Sequence, residues 1–197
     1  IILDYKNKIK NLIYFKQDNK GFAAARNKAI ELCNYDWIVI IDHDDICLKD
    51  RLKIHANQLN ESKNCMLFFG DSIIFSDSND YITNHFSRFK LENIKLKRNE
   101  VYRSLLSEGC FIDSETVLFN KSASMSVGNF NENYKYIADY DFFLRMGKIF
   151  NFSFTKEILS KWRIHDHQAT QTLEKVYTKE NILLLSRNIS FQNNLLL

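Results

Sequence analysis

The run Ile40-Ile41-Asp42-His43-Asp44-Asp45 closes a wholly apolar stretch with three carboxylates within four positions. Carboxylates this close repel one another, and a divalent cation that prefers oxygen donors, magnesium or manganese, relieves the repulsion. The competing interpretation is an acidic turn that merely ends a strand. An EF-hand is excluded, because the sixth position counted from Asp42 is Cys47 and not glycine. A second candidate is Asp139, in Ala138-Asp139-Tyr140-Asp141-Phe142-Phe143-Leu144-Arg145-Met146. Phe142, Phe143 and Met146 share one helical face, which leaves Asp139 in the first turn, either as an N-terminal cap or as a carboxylate facing a cleft. The third is Lys161-Trp162-Arg163-Ile164-His165-Asp166-His167-Gln168, where guanidinium, imidazole and amide donors follow a strand. Phosphate recognition, metal ligation and an ordinary polar loop all fit that set. His43, His55 and His85 have no such company and read as surface or satisfied core residues.

These side chains need elements to hold them. Trp37-Ile38-Val39-Ile40-Ile41 is unbroken and apolar, as expected of a strand buried on both faces of a mainly parallel sheet, and ligands bind beyond the carboxyl ends of such strands. Residues 1–11 suit the end of an amphipathic helix that runs into a strand over 12–16. After Gly21, Phe22, Ala25, Ala29, Leu32 and Cys33 fall on one helical face, with Arg26, Lys28 and Glu31 turned away. Residues 50–62 read as a helix with Leu52, Ala56 and Leu59 inward and Arg51, Lys53 and Glu61 outward. Strands are predicted over 65–75 (interrupted at Gly70-Asp71), 116–120 and 158–164, and helices over 139–149 and 173–189. The segment 86–103 carries Arg88, Lys90, Lys95, Lys97, Arg98 and Arg103 against Glu92 and Glu100, either a solvated face or an anion-binding patch.

Length and composition bound the rest. The 197 residues suit one domain, and 45% apolar residues with 14% aromatics supply a single core. A net charge of +3 is too small to demand nucleic acid or an anionic membrane. Proline is absent, where average usage gives roughly ten. Cys33, Cys47, Cys65 and Cys110 contain no C-x-x-C pair, which excludes a zinc ribbon; each sits in or beside an apolar run, favouring free thiols in a reducing cytosol over a disulfide. No apolar run approaches the roughly 18 residues needed to cross a bilayer, so the chain is expected to be soluble.

The order of the three signals resembles glycosyltransferase family 2, the inverting, nucleotide-sugar-dependent enzymes of GT-A fold. Asn19-Lys20-Gly21 with Ala25-Arg26-Asn27 is similar to the family's N-x-G…A-R-N segment, and Tyr35 to Asp45 is similar to its D-x-D metal motif. Residues 111–121 resemble the acceptor-side strand, and Gly128-Asn129-Phe130-Asn131-Glu132 its G-G-F-D-E turn. Asp139 to Arg145 resembles E-D-x-D-…-R, and Trp162-Arg163-Ile164-His165 with Gln168 its terminal R-x-H-x-x-q element. The likeness runs from about residue 12 to 170. It departs at Ala138, where the family has glutamate, and at Lys49, where it often has proline. The family's first strand and its nucleotide-base-binding segment have no counterpart before residue 12, so the domain is expected to be truncated at its amino terminus.

The resemblance implies an α/β, mainly parallel GT-A sheet in one domain over 1–197, with a closing helix over about 173–190. It implies a manganese- or magnesium-dependent transferase that moves a sugar from a nucleoside diphosphate, UDP-linked, to a carbohydrate or lipid-linked hydroxyl in surface-polysaccharide or glycan synthesis. Asp139 would be the general base. Asp44 would hold the metal on the diphosphate, Asp42 would contact the ribose or the metal, and the metal set would be Asp42, Asp44 and His165. Arg163 and His165 would close over the diphosphate, and Arg26 would shape the nucleotide-sugar pocket. The chemistry agrees: a cation and Arg or His donors stabilise charge on a leaving phosphate, and one carboxylate suffices as base for a single inverting displacement. The implied setting is the cytoplasm, with peripheral contact at the inner face of the membrane. Two rival functions are a metal-dependent phosphohydrolase using Asp42, Asp44, His165 and His167, and a non-catalytic sugar- or nucleotide-binding module.

Overall fold

A computed structural model describes residues 2–6, 8–166, 168 and 173–193. The chain order is α1 (Ile2–Tyr5), α2 (Phe22–Leu32), β1 (Trp37–Val39), β2 (Ile46–Cys47), α3 (Arg51–Glu61), β3 (Cys65–Ser76), β4 (Asn79–Asn84), α4 (Glu100–Glu108), β5 (Leu118–Asn120), α5 (Lys121–Ser126), α6 (Ala138–Ile149), β6 (Asn151–Ile164) and α7 (Glu174–Asn193). The expected α/β class is borne out. One sheet has the order β1-β5-β3-β6-β2, with β4 paired to β3 as a hairpin.

The pairing differs from the expected mainly parallel sheet. Among the described residues only β3 with β6 is parallel; β1 with β5, β5 with β3, β6 with β2 and β3 with β4 are antiparallel. Because β1 and β3 both run against β5, they share a direction, and β6 shares it too. The carboxyl ends of β1, β3 and β6 therefore open on one edge of the sheet, where Asp42, Asp77 and His165 follow them.

Local differences have physical causes. Residues 12–16 are not a strand: a strand needs a ladder partner, and β1 pairs only with β5 among the described residues. Ile13, Tyr14 and Phe15 stand about half exposed, and Ile13 and Phe15 line a groove of about 560 Å³ with Leu12, Ala25, Ala29 and Leu32. The inward face of α2 is thus Ala23, Ala24, Arg26 and Ile30, not the Ala25–Ala29 face that the periodicity suggests. The same inversion occurs in α3. Arg51, His55 and Gln58 point inward while Leu52 is 63% exposed. The reason is backbone satisfaction: Arg51 donates to the carbonyls of Ile40 (3.2 Å) and Val117 (3.0 Å), and Gln58 donates to that of Phe69 (3.3 Å). Buried carbonyls at the strand ends take their donors from the helix laid across them.

The strand over 65–75 runs unbroken, but its ladder with β6 slips around Gly70. A side chain at Gly70 would meet Leu159 Cδ1 at 2.6 Å and the Glu157 carbonyl at 2.9 Å, so this close approach requires glycine. β6 begins at Asn151, seven residues before its expected start. The core is aromatic, with Phe69, Phe111, Phe119, Phe142 and Phe143 all at 2% exposure or less. Phe130 and Phe142 stack at 4.4 Å between centroids, and Phe119 meets Phe142 edge-on at 5.3 Å. Leu184 of α7 joins this cluster. All four cysteines are free. Among the described residues no helix is long and apolar enough to cross a membrane.

Candidate active site

The loop that follows β1 delivers the acidic run to the shared strand edge, and three other elements meet it there. Arg26 reaches from α2. It is 9% exposed, lies against the rings of Phe22 and Phe130, and donates from Nη2 to Asp42 Oδ2 at 2.9 Å. Its Nε and Nη1 have no hydrogen-bond partner among the described residues. Glu115, just ahead of β5, accepts the Asp42 backbone N–H at 2.8 Å and lies 3.9 Å from Arg26 Nη2. Burial, with the Asp42 charge beside it, pushes its carboxyl up to about 9.

The carboxyl end of β6 closes on the same loop. His165 Nε2 lies 3.0 Å from Asp44 Oδ2, joining residues 121 positions apart. Burial raises the Asp44 pKa, but the His165 hydrogen bond leads the opposing effects and the net shift is below the usual carboxylate value. Arg163 donates its backbone N–H to Asp45 Oδ1 (2.8 Å) and its Nε to the Asp44 carbonyl (3.0 Å), and pairs with Asp77 through Nη1. Burial and the neighbouring carboxylates of Asp113, Asp44 and Asp42 bring Asp45 to about 7. Gln168 holds the turn by accepting the His165 N–H at 2.8 Å. His167 lies outside the described residues.

Asp139 stands in the first turn of α6 and accepts the Tyr140 N–H at 2.7 Å. Burial raises its pKa; the Arg26 guanidinium lowers it and the Asp42 charge raises it. Arg26 thus hydrogen-bonds the carboxylate at the end of β1 and acts through its charge on the carboxylate that opens α6.

The expected residues Arg26, Asp42, Asp44, Asp139, Arg163 and His165 are therefore drawn to one edge. Asp42, however, faces Arg26, while Asp44 faces His165. Among the described residues no group of three or more His, Cys, Asp or Glu side chains is arranged to hold a metal. The carboxylate–imidazole pair Asp44–His165 suits an ion that takes one or two protein donors and fills its remaining positions with water and phosphate oxygens. Two further motif positions are staples. Asn27 exchanges hydrogen bonds with Phe130, 2.9 Å each way, and Arg145 joins Asp141 (2.8 Å) to the Asn129 carbonyl (2.6 Å). Glu115 was not foreseen. Its signal in the sequence was the polar stretch Asp113-Ser114-Glu115-Thr116 set between Phe111-Ile112 and Val117-Leu118-Phe119.

The family model for glycosyl transferase family 2 matches residues 1–128. An uncharacterised glycosyltransferase of Rickettsia typhi is 29% identical over 175 residues, 87% of this chain and 52% of its own length. One of Methanocaldococcus jannaschii is 30% identical over 166 residues, 83% and 54% respectively. The amylovoran biosynthesis glycosyltransferase AmsE of Erwinia amylovora is 25% identical over 130 residues, 66% of this chain and 45% of AmsE. The chain thus spans about half the length of these relatives. Residues 1–349 of S. aureus TarS, solved in complex with UDP-GlcNAc, superpose with a TM-score of 0.64 at 16% identity, covering 87% of this chain and 47% of that one. That likeness establishes the GT-A fold.

Proposed function

This chain belongs to glycosyl transferase family 2, and from that premise we propose that it transfers a sugar from a UDP-linked donor to a hydroxyl acceptor, with inversion at the anomeric carbon. What supports the reading most is the convergence of His165 on Asp44 at 3.0 Å, with Arg163 tied to the same loop. Cationic groups are thereby gathered where a leaving diphosphate would sit. Asp44 and His165 would hold a divalent cation, manganese or magnesium, which supplies positive charge beside that diphosphate. Arg163 adds donors to the phosphate oxygens, and so does the ring N–H that His165 keeps when its other nitrogen faces the cation.

Arg26 holds Asp42 by a hydrogen bond of 2.9 Å, so that Asp42 is aimed to accept a hydrogen bond from a ribose hydroxyl of the donor. Asp139 takes the proton from the attacking acceptor hydroxyl, and its raised pKa makes it a stronger base than an exposed aspartate. No second carboxylate is required as nucleophile, which favours one displacement with inversion. A carbohydrate or lipid-linked acceptor in surface-polysaccharide synthesis is consistent with the name of AmsE. A cytoplasmic setting, at the inner face of the membrane where the acceptor is lipid-linked, belongs to the same proposal.

The decisive experiment combines binding and turnover. UDP binding is measured by calorimetry with and without manganese, and UDP release is followed from UDP-GlcNAc, UDP-glucose and UDP-galactose. Asp44→Ala should abolish the manganese-dependent part of UDP binding. Asp139→Asn should bind UDP like the unmodified chain and lose at least about a hundred-fold in turnover. Manganese-independent sugar binding without turnover would favour a binding module, and phosphate release from a simple phosphoester a phosphohydrolase.

A further inference from the structure

We propose that Glu180, on the closing helix α7, is a positioning residue for the general base: it fixes the backbone segment that delivers Asp139. The proposal rests on the assignment of Asp139 made above. Glu180 is 9% exposed. Its Oε1 accepts the N–H of Lys135 at 2.7 Å, and its Oε2 accepts those of Tyr136 at 3.0 Å and Ile137 at 3.2 Å. These three residues lie immediately ahead of α6, and Asp139 is the second residue of that helix.

A carboxylate that accepts three successive amides fixes the path of the chain through them. It also answers a local need. Ile137 at the N-cap offers no side-chain acceptor, and Ala138 is apolar and fully buried, so Glu180 of α7 adds its charge at the positive end of the helix dipole to that of Asp139 and Asp141 in the first turn. Other contacts hold α7 in register over the segment. Tyr177 meets the Tyr136 ring edge-on at 5.2 Å, and Arg187 reaches the Tyr134 hydroxyl at 3.5 Å. Leu184 is buried in the core, and Asn188 accepts from the Tyr102 hydroxyl at 3.1 Å. Axial movement of α7 would lift the carboxylate away from its amides.

Glu180 touches neither Asp42, Asp44 nor His165, so its influence should reach the base and spare the diphosphate end. A general base works only within hydrogen-bond reach of its proton, and a displacement of about 1 Å can cost about a hundred-fold in rate. The test uses the full chain with the UDP-sugar that it turns over fastest, following UDP release and, separately, UDP affinity. Glu180→Ala should lower kcat by at least about ten-fold while donor KM and UDP affinity stay within about two-fold. Glu180→Gln keeps the shape and one acceptor oxygen; its kcat should fall about three-fold with donor KM unchanged. A Gln variant equal to the unmodified chain, or a loss of UDP affinity in step with kcat in either variant, overturns the proposal. Asp139→Asn separates the two layers. If it retains turnover the base assignment fails, whereas lost turnover beside unaltered Glu180 variants overturns the positioning role alone.

Discussion

His55 sits 2% exposed on α3, with Nδ1 3.0 Å from Gln58 Oε1. The amide oxygen accepts, so Nδ1 carries a proton. Burial lowers its pKa to about 4 from 6.5. Between those values the unfolded chain takes up a proton that the folded chain refuses. His55 therefore contributes nothing adverse above about pH 6.5 and destabilises progressively as pH falls toward 4, by on the order of 2–3 kcal/mol. Urea denaturation of the unmodified chain and of His55→Gln at pH 7 and pH 4.5 should show a flatter pH dependence in the variant by about that amount. Parallel curves would mean that the ring is already charged in the folded protein. At this scale the site was largely legible: Asp42, Asp44, Asp139 and His165 lie in recognisable runs. Glu115 and Glu180 were not, because each is one carboxylate in an unremarkable stretch, and only folding brings it to the backbone amides that give it a role.

For the elements, the sequence was a fair guide to existence and a poor one to orientation. α3 was expected at nearly its observed bounds, yet facing the wrong way. Hydrophobic periodicity assigns Leu52 inward and Arg51 outward, whereas the strand ends beneath α3 need donors more than they need another methyl group. The inversion is testable. Arg51→Leu leaves the Ile40 and Val117 carbonyls without their donor and should cost roughly 2–4 kcal/mol, while Leu52→Ala should cost less than about 0.5 kcal/mol. Denaturant midpoints at constant m-value measure both, and equal losses would restore the outward Arg51. The early part of β6 was legible in principle, since Phe152 and Phe154 alternate with polar neighbours in the period of a strand. Pairing sense was not, because an apolar strand carries no mark of the direction of its neighbour.

Over the whole molecule, the site belongs to no single region. Arg26, Asp42, Glu115, Asp139 and His165 come from α2, the end of β1, the approach to β5, the start of α6 and the end of β6. The common direction of β1, β3 and β6 makes that assembly possible. α7 then packs Leu184 into the core, so the last helix is part of the same cooperative unit as the first carboxylate. Among the described residues β1 is paired on one side only, and this has a colloidal consequence. Its outer side presents amides and carbonyls that another extended backbone can zip onto, beside the half-exposed Ile13 and Phe15. This chain purified by itself should self-associate as its concentration rises through the micromolar range, and Val39→Lys should restore a single sedimenting species. A chain that stays monomeric at every concentration would mean that β1's outer side is already shielded, and its solubility would then owe nothing to a charged edge.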